Sequence, residues 1–541
     1  MNKLPSGGRW RCLLLLTLWG VVPVHAQSSN DAAFLSTLGE LRDAGYDDKA
    51  SIVERLGQGN HPSLRAVLTA FLEDRLYFRN SDQKIFIAKV ADADPLDLVD
   101  PLTLKGAGSA PADGLTKIGT NNGLRSTLRE TVAHFSLASP DPAVRMDAVR
   151  EMSKSLDEKT VALLRERLSA ETNAGVKKEI ATSLALAALD GTERGPRLEA
   201  IATLKSSVSQ DVRNRLALMV DENDQEVRTA AAAAVKTIDH WRTFYSGFET
   251  LFFGLSLGSV LVLIAIGLAI TFGVMGVINM AHGELMMLGA YTTYVVQQAM
   301  PGHIGISILV AIPAAFIVSG ATGVLIERTI IRFLYGRPLE TLLATFGLSL
   351  ILQQTVRSIF SANNRSVITP DWMSGSMRVN DALAITYNRL YIVIFTVIVF
   401  SLILLVLKRT RIGLDIRAVS QNRAMAKAMG IRTEWVDAMT FGLGSGIAGV
   451  AGVALSQLTN VGPNLGQSYI IDSFMVVVFG GVGNLWGSLI GGMSMGIVNN
   501  LLEPFAGAVL AKIFVLVGLI LFIQTRPRGL FPQRGRAAED K

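Results

Sequence analysis

The chain has 541 residues, half of them hydrophobic and 18% charged, with a formal net charge of +6. That is too apolar for an ordinary soluble protein of this length, and the basic residues of the C-terminal half fall between apolar runs, a topology signal rather than a sign of nucleic-acid binding. The single cysteine, Cys12, excludes a disulfide framework within the chain and, lying inside the expected leader at 1–26, would leave the mature protein without thiol chemistry.

Residues 1–26 read as a secretory signal peptide. Lys3, Arg9 and Arg11 precede CLLLLTLWGVV, and VHA, ending at Ala26, offers small residues for cleavage. The apolar run is short for a spanning helix, and an uncleaved anchor is the alternative. Residues 27–240 are expected to form an all-helical domain outside the membrane, since apolar residues recur at three and four spacing in VALLRERL and KKEIATSLALAAL. SPDPAVRMDAV, NAGVKKEIA, SQDVRNRLA and NDQEVRTAA share a polar turn, a valine, basic residues and an apolar residue four after the valine. The matching pairs are Val144 with Ala148, Val176 with Ile180, Val212 with Leu216 and Val227 with Ala231. Such degenerate repeats stack into HEAT-like solenoids, or equally reflect ordinary capping in a helical bundle. His61, His134 and His240 lack a metal-ligand spacing, and the half holds no phosphate loop or nucleophile elbow. It reads as a docking module.

The membrane domain is expected over 245–530, with a cytoplasmic tail at 531–541. Apolar segments fall at 248–274, 280–299, 304–326, 341–360, 390–407, 438–458, 470–500 and 506–524. The loops ERTIIRFLYGR and KRTRIGLDIRAVSQNRAMAK and the terminal TRPRGLFPQRGR are basic, which places them in the cytoplasm. A secreted N-terminus and a cytoplasmic C-terminus then require an odd number of crossings. FGGVGNLWGSLIGG makes 470–500 either two helices or a re-entrant hairpin, and Gly480, Gly483 and Asn484 become candidates for the lining of a pathway. FGVMGVINMAHGE and FGGVGNLWGS resemble one another, as the two halves of an internally repeated transporter would, although glycine enrichment for helix packing has the same appearance.

Asn279, His282 and Glu284, in NMAHGELMMLGAY, are the other path candidates. An ionisable group at the bilayer centre costs roughly 2.5–3.5 kcal/mol on insertion scales. The pair therefore lies either at the cytoplasmic interface, where water solvates it, or deeper along a pathway, with Asn279 holding the turn in both cases. The stretch from Arg411 to Gly430 is expected to form a short surface helix with a glycine stop.

GLSLGSVLVLIAIGLAITFGVMGVINMAHGELMMLGAY, TRIGLDIRAVSQNRAMAKAMGI and RPRGLF closely resemble the permease subunits of branched-chain amino acid type ATP-binding-cassette importers, over about residues 250–532. A long secreted extension ahead of such a permease resembles the layout of the family's urea transporter permeases. The resemblance implies an inner-membrane subunit, not itself an enzyme, that pairs with a second related permease, two cytoplasmic ATPases and a periplasmic solute-binding protein, with lipid around it and no nucleic acid. No cofactor is expected in this chain. It lacks GxxxxGK[ST], so the ATP would be used by partners. The resemblance further implies that Arg417, Gln421, Asn422, Arg423, Ala424, Ala428 and Gly430 belong to a segment that docks in an ATPase cleft; a topogenic basic loop on anionic lipid is the bare alternative. The expected cargo is a small polar solute, urea before branched-chain amino acids or short amides, because the secreted extension tilts the reading to urea; the few charges in the spans would suit a zwitterionic amino acid as well. A self-sufficient channel or ion-coupled carrier using His282 and Glu284, and a membrane-anchored scaffold, are the readings of other classes.

Overall fold

The computed structural model describes residues 25–59, 61–91 and 94–531. The expected signal peptide and C-terminal tail lie almost wholly outside the described residues. The chain divides into two compact units, Met1–Ser207 with Asn214–Val235, and Val208–Arg213 with Lys236–Lys541.

In the first unit, α1 (His25–Gly39), α2 (Tyr46–Gln58) and α3 (Leu64–Leu72) precede a sheet, and α4 (Asn122–Ser136) follows it. The expectation of an all-helical domain fails here. Strands β1 (Leu76–Arg79), β2 (Ile85–Ala88), β3 (Leu96–Val99), β4 (Gly106–Ala110) and β5 (Leu115–Lys117) form an antiparallel sheet in the order β4-β3-β2-β1-β5. The residues explain it: LYFR and IFIA are aromatic and β-branched, and NSDQ between them is a turn sequence. Alternation divides them between two cores. Leu76, Ile85 and Ile87 pack against the helices, whereas Tyr77, Phe86 and Ala88 pack with Leu96, Leu98 and Leu115.

Further helices follow: α5 (Pro142–Met152), α6 (Glu158–Ala170), α7 (Ala174–Leu189), α8 (Arg194–Leu204) and α9 (Gln210–Leu218). The repeated polar turns are helix starts. The Asp141 side chain accepts from Ala143 N, that of Asn173 from Gly175 N and Val176 N, and that of Asp224 from Val227 N. Val176, Ile180, Val212, Leu216, Val227 and Ala231 are all buried. One charged group ties this region together. Glu171, fully buried, takes a two-pronged pair from Arg145 (Nε to Oε2 2.9 Å, Nη2 to Oε1 2.8 Å) and accepts from the backbone N of Thr172 and Asn173. Arg145 Nη1 also donates to the carbonyls of Ser139 and Pro140, so the α4–α5 loop is fastened to the α6–α7 turn.

The second unit contains most of α10 (Gln225–Met275), then α11 (His282–Ala299), α12 (Ile304–Thr329), α13 (Pro338–Phe360), a hairpin of β6 (Ser376–Asn380) and β7 (Leu383–Thr386), and α14 (Tyr387–Arg409). It ends with α15 (Arg411–Gln421), α16 (Arg423–Ala428), α17 (Thr433–Ser456), α18 (Leu465–Gly480) and α19 (Leu485–Thr525). Six described elements are long and apolar enough to cross a membrane: α10, the α12 region, α13, α14, α17 and α19. The eight expected segments are therefore redistributed. The 280–299 segment becomes the 18-residue α11, and 470–500 is cut at Gly481–Asn484 between the 16-residue α18 and α19. Residues 506–524 continue α19 beyond a non-helical Gly507, with Lys512 Nζ reaching Asp472 Oδ2 at 3.1 Å and Phe522 packed on Phe479.

The hub is α17, buried along nearly its whole length and packed on α11 and α12. Backbones meet there with no side chain between them: a Cβ on Gly289 would lie 2.0 Å from the Gly449 carbonyl oxygen, and one on Gly452 2.0 Å from that of Met286. The outer surface is apolar instead, with Leu339, Leu343, Phe346 and Leu350 of α13 and Ile394, Val397 and Leu402 of α14 exposed.

Replacing Glu171 by Gln should destabilise α5–α7 by about 3–5 kcal/mol, because it strands a buried guanidinium. Hydrogen exchange on the full chain should show protection there falling by about two orders of magnitude or more. The Arg145 guanidinium, followed by backbone donors, holds the Glu171 carboxyl down at about 2. The stabilisation is therefore complete above its ordinary value of 4.5 and is lost as pH falls through about 2. Wild-type protection should step down across that window, and Glu171→Gln should show no step.

Candidate translocation site

Helix α10 ends at Met275, and the chain runs on without helical structure through Gly276, whose φ is +66°, to Ala281. This stretch is folded back into the unit. His282 is fully buried, and its Nε2 donates to the carbonyl of Ile264 at 3.1 Å. Ile264 lies eleven residues before the end of α10, about 16 Å along the axis at 1.5 Å per residue. Helix α11 thus begins level with the middle of the apolar part of α10. Both groups are withdrawn from solvent by the protein itself, Glu284 being only 1% exposed.

Bare backbone at such depth needs partners. The Asn279 side chain accepts from Ala281 N at 3.0 Å. Met280 N donates to Thr345 Oγ1 at 3.1 Å, and that hydroxyl donates to the Ile278 carbonyl at 3.3 Å. Glu284 Oε1 accepts from Ser349 Oγ at 3.1 Å; Glu284 Oε2, His282 Nδ1 and Asn279 Nδ2 have no hydrogen-bond partner among the described residues. A second helix starts beside them. Gly466, on the first turn of α18, meets Gly283 so closely that a Cβ on it would lie 2.6 Å from the Gly283 carbonyl carbon and 2.7 Å from Glu284 Oε2.

The partners come from α13, which sequence reading had not singled out. Thr341, Thr345, Ser349 and Gln353 are buried, one turn apart on one face, while the opposite face is exposed and apolar. The stripe continues to Arg357, whose Nη2 donates to Asn464 Oδ1 at 2.6 Å, as does Gln353 Nε2 at 3.1 Å. From residue 341 to 357 it covers about 24 Å, most of a hydrocarbon core of about 30 Å. The signal was present as a four-residue recurrence in ETLLATFGLSLILQQTVR.

Gly480, Gly483 and Asn484 are not brought to this place. They form a tight turn at the end of α10: a Cβ on Gly273 would lie 2.5 Å from Gly483 Cα, and Gly480 packs on Gly487. Asn484 Oδ1 caps α19 at Trp486 N and Gly487 N, and its Nδ2 donates to the Phe531 carbonyl at 3.3 Å. The two similar FG-led stretches thus touch one another. On the same face Val274 packs against the core of Ile416, Val419, Ala426 and Val436.

That core belongs to the basic stretch from Arg411 to Gly430, which is two helices, α15 and α16, rather than the expected one. Asn422 breaks it (φ −154°, ψ 99°), because its side chain accepts from Met425 N at 2.9 Å and so caps α16 instead of continuing α15. The glycine stop stands as expected, with Gly430 at φ +90°. Gln421, Ala424 and Ala428 are exposed beside Met425 and Met429. The Arg417 guanidinium donates to the Leu407 carbonyl, and that of Arg423 to Asp437. No cluster able to hold a metal occurs among the described residues.

A helical unit with an apolar exterior, a broken helix at mid-depth and a buried polar stripe of membrane-spanning length defines the class of multi-pass membrane permeases. Residues 250–524, just over half of the chain, match the family described as branched-chain amino acid transport system / permease component, and the chain belongs to that family. The high-affinity branched-chain amino acid transport system permease protein BraD of Pseudomonas aeruginosa is 31% identical over 296 residues, covering 53% of this chain and 96% of that protein. LivH of the same description, from Escherichia coli K12, is 32% identical over 293 residues, 52% of this chain and 94% of that protein. The probable branched-chain amino acid transport permease protein LivH of Methanocaldococcus jannaschii is 26% identical over 267 residues, 49% of this chain and 83% of that protein. No solved structure matches the chain. The family and the apolar helices make it a multi-pass inner-membrane protein.

Gly466→Ala should force α11 and α18 apart. Its expected cost is about 1–3 kcal/mol, that of overpacking a close contact. Thermal unfolding in detergent should move down, whereas Gly302→Ala, with nothing within 4 Å of its Cβ, should leave it unchanged. Equal stability of the two variants would contradict the close helix crossing.

Proposed function

We propose that the chain is the permease subunit of an ATP-driven importer and that its solute follows the inner face of α13 past Glu284. The observation that carries this reading is the stripe Thr341, Thr345, Ser349, Gln353, in a helix that is otherwise dressed for lipid. Asn279, His282 and Glu284 belong to the wall of that path; Gly480, Gly483 and Asn484 lie off it, in the packed turn at the end of α10. The basic face holding α15, α16, the Gly481–Asn484 turn and residues 526–531 is cytoplasmic, in keeping with the excess of Lys and Arg in its loops. The exposed Ala424, Met425, Ala428 and Met429 are the surface that meets an ATPase. A periplasmic binding protein delivers the solute, a second related permease completes the pore, and residues 27–240 serve as a periplasmic docking module whose HEAT-like part is the helices from α5 onward.

For the cargo, the relatives' names favour branched-chain amino acids over the urea expected from the layout of the chain. The charges agree. Arg357 ends the α13 stripe and Glu284 of α11 is hydrogen-bonded to it through Ser349, and fixed charges of both signs along a path suit a zwitterion better than neutral urea. Urea remains the second reading because a whole folded unit precedes the family match. In vesicles holding the full assembly, labelled leucine should accumulate with ATP. Glu284→Gln should lower that uptake by about tenfold, the value of one lost contact of about 1.4 kcal/mol. Urea accumulation that leucine does not compete with, and that Glu284→Gln leaves within about twofold, would turn the assignment to urea.

A further inference from the structure

Arg423 stands in the exposed coupling segment, yet its guanidinium turns inward. It forms a two-pronged pair with Asp437, Nη1 to Oδ1 at 3.1 Å and Nη2 to Oδ2, and lies over the ring of Tyr335, 4.5 Å from the centroid. The Asp437 side chain is fully buried on the first turns of α17, and Tyr335 belongs to the linker between α12 and α13. Nearby, Arg328 at the end of α12 lies over Trp435, 5.6 Å from the centroid. The other side chains of α16 face outward, apart from Ala426.

The Arg423 side chain is still 42% exposed, and a pair of which only the carboxylate is buried is a poor source of stability. A planar fork does fix geometry, and here it fixes α16 to α17 and to the α12–α13 linker at once. From α17 the contacts are backbone on backbone, at Gly449 with Gly289 and Gly452 with Met286, and Met286 is two residues from Glu284. A shift imposed on the start of α17 has no soft side chain to absorb it before it reaches α11. We propose that the Arg423–Asp437 pair is the joint that carries ATPase-driven movement of α15–α16 into α17 and thence to the site at Glu284. Arg423 is then a positioning residue and not an ATPase contact. This rests on the reading of α15–α16 as the ATPase-docking segment.

The test uses the full assembly in vesicles with labelled leucine and labelled urea as probes. The variants are Arg423→Gln, Asp437→Asn, the two together, and Arg423→Lys. The double variant leaves no buried charge unpaired, and so keeps the test open if a single variant unfolds. Co-purification of the ATPases and basal ATP hydrolysis should stay within about twofold of wild type, while solute moved per ATP falls about tenfold or more in each single variant. Because the two residues act as a unit, the double should be no worse than either single, and Arg423→Lys should recover a substantial part of the loss. Loss of ATPase co-purification in Arg423→Gln alone, additive losses in the double, or unchanged coupling in all variants would overturn the joint. If the wild-type assembly itself moves neither probe with ATP, it is the importer reading that fails.

Discussion

Backbone that is neither helix nor sheet has to find its hydrogen bonds within the protein when it lies at membrane depth. In this chain that constraint acts on the six residues between α10 and α11. Asn279 and Thr345 supply the partners, so the break can persist only while α13 keeps its hydroxyls turned toward it. The same arrangement seats Glu284 against Ser349 and opens α11 halfway through the unit. The polar stripe is therefore the support of the broken helix and, in the function proposed above, also the surface along which a polar solute finds partners.

Glycine makes the arrangement possible by removing side chains where helices cross. Contacts at Gly283 with Gly466 and at Gly289 with Gly449 leave no Cβ in the interface and let the carbonyls touch neighbouring backbone. With no hydrophobic drive between helices in lipid, such packing has to hold the unit together. Its rigidity also has a functional side: α17 is held at one end by Asp437 and along its length by backbone contact.

Much of this was legible in the residues. The apolar runs and basic loops marked the membrane unit, and the cost of His282 and Glu284 in an apolar run marked the site. The rest was hidden for physical reasons. Depth could not be read because α10 continues past the level of His282 before the chain doubles back, and linear position does not report a reversal. The α13 stripe escaped because Thr and Ser are tolerated almost anywhere in a spanning helix, so only their four-residue phase carried the message. The sheet at 76–117 was missed because its strands are three to five residues long and their alternation is drowned by flanking helical periodicity. Arg423 resembled every other cation of its loop until Asp437, fourteen residues on, was seen beneath it.

The central claim is that the inner face of α13 meets water during transport. With Cys12 replaced by Ser, single cysteines at 345, 349 and 353 can be compared with cysteines at the lipid-facing positions 343 and 350, using a small hydrophilic thiol reagent on the assembled importer. Modification at Thr345→Cys, Ser349→Cys and Gln353→Cys should rise during ATP-driven turnover and be slowed by transported solute, while Leu343→Cys and Leu350→Cys stay unreactive. Equal, turnover-independent silence at all five positions, in an assembly that still transports, would contradict it.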